Sequence, residues 1–244
     1  MNRSQILRIE TAASRALPAP EKAVVNGWTV LLGRGAVNRI NSAFTNGYRP
    51  RALIDQIEAV ERRFASRRRP PRFRLTRLDA TADQLLEERG YERSADVLVM
   101  TAPLESGLHP EPGVVLRSAV TPGFVDRFRA WGGYSDLRVD EIVESLSALT
   151  LPHVVALSEH GLAVGVLDLE LVGLFDVVVD PSVRGNGHGR AVSRAVQAWG
   201  SSHGAQLAYL QVRSDNGPAV RLYASMGFEE VYRYWYRSRA TIPR

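Results

Sequence analysis

The stretch from Val177 to Arg190, Val-Val-Val-Asp-Pro-Ser-Val-Arg-Gly-Asn-Gly-His-Gly-Arg, constrains this chain more than any other. The run Leu174–Val179 is apolar except for Asp176, the pattern of a strand buried on both faces. Three glycines then alternate, Gly185, Gly187 and Gly189, and Gly189–Gly200 has the spacing of a helix. A strand that enters a helix through such a turn belongs inside an α/β sheet. Backbone without side chains lets a ligand approach closely. Successive N–H groups at a helix N-terminus make a cradle for an anion, a pyrophosphate being the natural occupant. Taken by itself the loop could equally be a glycine-rich turn with no ligand.

The rest of the sequence alternates strand and helix patterns. Before position 105 we expect helices over Ser4–Ala16, Arg51–Arg67 and Ala82–Arg89, and strands over Trp28–Leu32, Arg39–Phe44, Phe73–Leu78 and Asp96–Thr101. Thr101–Gly113 carries three prolines and two glycines and reads as a connector, with the linker proper at 106–112. Beyond it come a strand at Val114–Arg117 and helices over Pro122–Trp131 and Asp140–Leu149. Strands follow at His153–Ser158, Leu162–Glu170 and Leu174–Val179, then the Gly189–Gly200 helix. Strand Leu207–Val212, helix Pro218–Met226 and strand Glu230–Arg237 finish the pattern. Leu85–Tyr91 resembles Leu222–Phe228: in both a short helix stops at glycine and an aromatic residue leads into the last strand. The chain therefore reads as two related α/β halves with mixed sheets, 1–105 and 113–244.

Composition excludes several chemistries. The chain has no cysteine, so disulfides, thiol nucleophiles and Cys-bearing zinc sites are ruled out. Its five histidines lie nowhere three or four residues apart, so no helix-spaced metal pair exists and no metal is expected. Asp168, Glu170 and Asp176 interrupt the most apolar stretch, and carboxylates are too costly for a bilayer core. No signal peptide is evident at the N-terminus. The cytoplasm is the expected location. Residues 1–105 carry a net charge of +6 and residues 106–244 one of −1. The basic half suits a solvated surface, an anion-attracting face or a docking face for an acidic partner. Arg67-Arg68-Arg69 is too short, and too poor in aromatic neighbours, to argue for nucleic acid. Gly200-Ser201-Ser202-His203-Gly204 matches the Gly-x-Ser-x-Gly pattern of hydrolases. It follows a helix instead of a strand, which is the wrong context for a nucleophile elbow.

Downstream of the glycine loop lies Asn216-Gly-Pro-Ala219-Val-Arg-Leu222-Tyr223-Ala-Ser-Met-Gly227-Phe228. With Arg184, Gly187 and Gly189 filling a Gln/Arg-x-x-Gly-x-Gly motif, these residues resemble the GNAT (Gcn5-related) N-acetyltransferases over Val114–Arg237. The whole chain is similar to bacterial tandem GNAT proteins with a degenerate N-terminal half, to which Trp28 and Arg39-Ile40-Asn41-Ser42 add a less specific likeness. The resemblance implies a GNAT fold and acetyl-CoA as co-substrate. By it, Val177, Val178 and Val179 offer backbone groups to pantetheine. Arg184, Gly185, Asn186, Gly187, His188, Gly189 and Arg190 hold the pyrophosphate, and Asn216 and Tyr223 meet the CoA arm.

Tyr223 also takes the position of the family's general acid. A departing thiolate needs a proton, and a phenol with a pKa of about 10 still carries one at neutral pH. The alternative is that Tyr223 only packs against CoA. Where some ribosomal-protein-type members place a glutamate base, this chain has Gln211, which cannot act as one. Asp176, an acid in an apolar strand, is the substitute, with a structural hydrogen bond as its other reading. Asp168 and Glu170 are weaker candidates. Trp131 and Tyr134, either side of Gly132-Gly133, are expected over the acceptor, as a lid or as ordinary packing. The acceptor expected is a primary amine of a small metabolite. The alternatives are a protein or peptide acetyltransferase and a non-catalytic acyl-CoA sensor. One CoA is expected per chain. The Thr45–Pro50 connection has a single glycine, and Pro50 removes an N–H where an anion would need donors. Oligomeric state is left between monomer and homodimer.

Overall fold

The computed structural model describes residues 2–45, 52–105, 107–109 and 111–239. Residues 46–51, which include most of the Thr45–Pro50 connection, and the linker positions 106 and 110 lie outside the described residues. The first half runs α1 (Arg3–Ala16), β1 (Glu21–Val25), β2 (Trp28–Leu32), β3 (Ala43–Thr45), α2 (Leu53–Ala65), β4 (Arg72–Thr76), α3 (Ala80–Glu88), β5 (Glu92–Arg93) and β6 (Val97–Pro103). The second runs β7 (Val115–Arg117), α4 (Pro122–Gly132), α5 (Asp136–Ser147), β8 (His153–Leu157), β9 (Gly161–Asp168), β10 (Leu171–Val179), α6 (His188–Ser202), β11 (Leu207–Arg213), α7 (Gly217–Ala224) and β12 (Glu229–Ser238). No helix among the described residues is long and apolar enough to cross a membrane.

All strands join one mixed sheet in the order β1-β2-β3-β4-β12-β6-β11-β10-β9-β8-β7, with β5 against β12. Its two parallel pairs occupy corresponding places in the halves, β3 with β4 and β10 with β11, each crossed over by a helix. The halves differ from independent units at the centre. The last strand of the first half, β6, pairs with β11 of the second, and the last strand of the second, β12, pairs with β4 of the first. β6 and β12 then pair with each other, so the halves have exchanged final strands. Side chains alternate along β6 accordingly: Val97 and Val99 enter the core under α1, α4 and α5, while Leu98 and Met100 enter the opposite core under α6 and α7. The core under α2 and α3 is centred on Trp28, Phe64 and Phe73.

Several elements depart from the sequence expectation. The strand expected at Arg39–Phe44 is a single 3-10 turn, Asn38–Ile40, followed by the short β3. Asn41 explains it: its Oδ1 accepts from Gly33 N (3.0 Å) and its Nδ2 donates to Val37 O (2.8 Å), which holds the chain in a turn. β1 was not expected at all. It is a half-exposed edge strand joined to β2 through Asn26-Gly27, both at positive φ (48° and 89°), the backbone of a tight hairpin. α5 also begins a turn earlier than expected, at Asp136, because the Ser135 side chain caps it by accepting from Arg138 N.

The halves are further joined by a buried carboxylate. Glu141 of α5, 1% exposed, reaches into the turn Gly33–Val37. It accepts from Arg34 N (2.5 Å) and Gly35 N (3.1 Å) on one oxygen, and from Ala36 N (2.8 Å) and Val37 N (2.7 Å) on the other. Asn41 Nδ2 adds a fifth donor at 2.7 Å. The glycine turn of the first half is thus an anion nest filled by a side chain of the second.

Candidate active site

β10 and β11 pair only from Leu171↔Leu207 to Leu174↔Leu210, although β10 continues to Val179 and β11 to Arg213. Beyond Leu174 the strands part. β10 keeps β9 on its other side (Val178↔Leu162, Val179↔Gly161), and β11 keeps β6. Peptide groups of Val177–Val179 therefore face an open wedge in mid-sheet. A cavity of about 720 Å³ occupies it and runs along the α6 N-terminus. Val177, Val178, Val179, Arg184, Gly185, Gly187, His188, Gly189 and Arg190 line it, as do Trp131, Tyr134, Asn216 and Tyr223. Asn186 and Asp176 are not among the lining residues.

The α6 N-terminus is built for an anion. α4, α5 and α7 of the same half each start with a side-chain cap, from Thr121, Ser135 and Asn216. α6 starts at Gly187 with φ 85° and no side-chain cap, and has no acidic residue in its first turn. Its first N–H groups are left for a ligand, with the positive end of the helix dipole behind them. Side chains built on Gly185 or Gly187 would point into open space, so left-handed backbone is what demands glycine there. Gly189 has a different reason: a Cβ would lie 3.2 Å from Leu222 and 3.4 Å from Val179, where the helix start packs on the wedge. Arg184 and Arg221 have no acidic partner among the described residues, whereas Arg190 donates to Ser225 of the turn ending α7 (Nη2 to Oγ, 2.6 Å). Arg221 and Ser225 line the cavity without having been singled out in the sequence; their spacing of one helical turn at the end of α7 is the signal that could have found them.

At the inner end stands Tyr223, 7% exposed, its ring edge-on to Phe228. Its pKa is raised, first by burial, then by Tyr134 and Asp176, so it is protonated across the neutral range. Asn216 Oδ1 caps α7 through Ala219 N (3.3 Å), which leaves its amide N–H groups for a ligand. Tyr134 folds back over Gly132, its ring 5.1 Å from that of Phe128, and Gly133 ends α4 in the left-handed conformation.

Asp176 sits where the β9–β10 register shifts, at φ 49°, a bulge that re-aims its side chain. That side chain is 7% exposed and Oδ2 is buried with no hydrogen bond. Gln211 accepts from Tyr234 OH (3.4 Å) and leaves its Nε2 buried and unpartnered. Asp168 instead pairs with Arg15 (3.1 Å) and Glu170 with Arg8, both away from the wedge. Ser201 of the hydrolase-like pentapeptide donates to Glu105 O at the end of α6. No cluster of His, Asp or Glu fit for a metal occurs among the described residues.

The sequence and the fold are both similar to those of known proteins. Residues 3–237 match the family model "Probable histone acetyltransferase Rv0428c C-terminal". The chain is 26% identical over 243 residues to the uncharacterized N-acetyltransferase YobR of Bacillus subtilis (strain 168), covering 95% of this chain and 98% of that one. A GCN5-related N-acetyltransferase from Kribbella flavida superposes with a TM-score of 0.69 at 19% identity, over 96% of this chain and 95% of that one. A tandem GNAT protein from the clavulanic acid biosynthesis pathway gives a TM-score of 0.66 at 15% identity, over 95% and 87%. Membership implies acetyl-CoA as the co-substrate. With an open wedge in the sheet, an uncapped helix start beside it and a family match over nearly its whole length, the chain belongs to the Rv0428c C-terminal acetyltransferase family, and so to the GNAT N-acetyltransferases.

Proposed function

We propose that this protein transfers the acetyl group of acetyl-CoA directly to the primary amine of a small metabolite. The single observation that carries the reading is the continuous path from the uncapped α6 start, along the free edge of β10, to Tyr223. The pyrophosphate fits the loop Arg184–Arg190 and pantetheine extends along Val177–Val179. The thioester then lies beside Tyr223. An amine attacks the thioester carbon, the C–S bond breaks and the thiolate takes the Tyr223 proton. The apolar surroundings that raise the phenol pKa also raise the basicity of the thiolate, so the transfer does not become prohibitive. Before attack Asp176 takes one proton from the ammonium, which is needed because an alkyl amine is only about one part in a thousand neutral at pH 7, and the second N–H proton, lost as the amide forms, returns to the Tyr223 phenolate.

Only the 113–244 half is assigned a CoA site in this proposal. Residues 1–105 then serve as scaffold and as a wall of the acceptor side. A protein acceptor is the second reading, favoured by the histone acetyltransferase description of the family model. The burial of Asp176 and Tyr223 favours a small acceptor that can enter the wedge. A pure sensor has no use for a protonated tyrosine beside the thioester. Free-thiol release from acetyl-CoA, measured on a panel of small amines and lysine-bearing peptides, tests the proposal. Faster turnover of small amines supports it. Turnover confined to peptides overturns the acceptor class, and CoA binding without turnover on any amine leaves the sensor.

A further inference from the structure

Behind the cavity wall, the first half reaches β10 next to Asp176. Arg39, in the turn Asn38–Ile40, lays its guanidinium over the Phe175 ring, 4.9 Å from the centroid. Its Nη2 comes to 4.0 Å from Asp176 Oδ1, an ion pair without a hydrogen bond. No other charge pairs with Asp176 among the described residues, and Oδ2 has no partner. Arg138 of α5 stacks over Tyr134, 4.7 Å from the ring centroid, with its Nε buried and unpartnered. Asp176, Arg138 and Arg39 all lie within electrostatic reach of the Tyr134 phenol. Tyr134 itself lines the cavity.

Around Tyr134 lie two cations and one anion, with Asp176 Oδ2 and Arg138 Nε lacking a hydrogen-bond partner. Buried charges are retained where a partner completes them. An ammonium group would satisfy Asp176 Oδ2, and a carboxylate would satisfy the guanidinium of Arg39 with charge-assisted hydrogen bonds. A molecule carrying both close together completes both. A polyamine would bring further positive charge against two arginines, and an amide would leave Arg39 without its anion.

We propose, building on the acetyl-transfer reading above, that Arg39 makes the site selective for amines that also bear a carboxylate, free amino acids being the simplest class. Asp176 receives the amino group and Arg39 the carboxylate, so the first half sets acceptor specificity for chemistry carried out by the second. No residue of the catalytic half replaces Arg39 in this role, because Arg138 is held on Tyr134.

The test uses the full chain, acetyl-CoA, and the proteinogenic amino acids each paired with its α-carboxamide, with spermidine and a lysine-rich peptide alongside. We expect the acids to be the better acceptors in kcat/KM. In Arg39→Gln the acid-to-amide ratio should fall about tenfold or more, the usual worth of a hydrogen bond to a charged group. In Arg39→Lys, which keeps the charge, part of the preference should return. CoA affinity by calorimetry, unchanged in both variants, shows that they fold. An amide or polyamine preference in the wild-type protein, or an acid-to-amide ratio unmoved in Arg39→Gln, overturns this proposal while leaving acetyl transfer intact. Absence of thiol release with every amine overturns both.

Discussion

Removing the Glu141 carboxylate should unfold this protein more readily than any surface change. In Glu141→Ala four backbone N–H groups of Arg34–Val37 and the Asn41 amide lose their acceptor in a buried site. A buried donor left unpaired costs roughly 1–3 kcal/mol. Water entering the space vacated by the side chain satisfies some of the five, so the net loss should be about 3–5 kcal/mol. For a chain of this length each kcal/mol moves Tm by about 2–4 °C, so a fall on the order of 10 °C is expected. Glu141→Gln should lose about half as much, because its NH₂ group faces at least two of the N–H donors whichever way the amide is turned. The assay is urea unfolding followed by tryptophan fluorescence, with buried Trp28 on the affected side, and far-UV circular dichroism as the second probe. Glu144→Ala, exposed on the same helix, serves as the control and should stay within about 0.5 kcal/mol of the wild-type protein. A Glu141→Ala loss below about 1 kcal/mol, at unchanged m value, would refute the argument that this carboxylate satisfies the nest.

Further outcomes are expected at Gly187, Tyr223 and Asp79. Gly187→Glu, which forces a side chain onto left-handed backbone and adds negative charge at the anion site, should abolish CoA binding in calorimetry without loss of helix content. The wild-type protein should bind one CoA per chain, and a second surviving Gly187→Glu would place another site in the first half. Tyr223→Phe should keep CoA affinity and lower kcat by about 10²–10⁴-fold where chemistry limits turnover. Because the Tyr223 pKa is raised, wild-type kcat should show no alkaline loss of this proton below about pH 10. Asp79, whose pKa burial pushes up to about 6 against a small opposing effect of its hydrogen bonds from Thr76, binds a proton more tightly folded than unfolded. Its contribution is therefore fully present below pH 3.8 and is lost as pH rises through about 6, a change of ~3 kcal/mol. Asp79→Asn keeps an acceptor oxygen for Thr76, so it should be the more stable protein at pH 7 and flatten stability between pH 4 and 6, as read by urea titration at several pH values.

The α6 loop and the α7 segment were legible because their chemistry is local: glycine at positive φ, a strand entering it and a helix leaving it all lie within a few residues. The Asn216 and Tyr223 positions follow from the same short-range spacing. Arg39 was not legible as part of the site. It meets Phe175 and Asp176 only after the halves pack, and nothing within its own segment records that contact. The anion held by the Gly33-Arg34-Gly35 turn is a carboxylate more than a hundred residues away, which no local pattern could reveal. β1 could have been found from Asn26-Gly27, a strong hairpin signal; its alternating half-exposed pattern obscured it. The strand exchange had no signal in the sequence, since β6 and β12 would have the same apolar alternation in either sheet position.

The exchanged strands also fix when this molecule can become itself during synthesis. β4 has no neighbour on one side until β12 arrives, and the Tyr234↔Thr76 register joins positions about 160 residues apart. β6 emerges early but waits for β11 and β12 before either of its edges is covered. A ribosome-bound chain therefore carries open strand edges and an unfinished pair of cores until β12 has been made. Long-range pairing of this kind slows folding and exposes edges that can pair wrongly. The same open edges would accept the strands of another copy, so concentrated refolding invites intertwined dimers in which β6 and β12 come from different chains. Removing β12 would leave the first half without its closing strand while the second keeps β6.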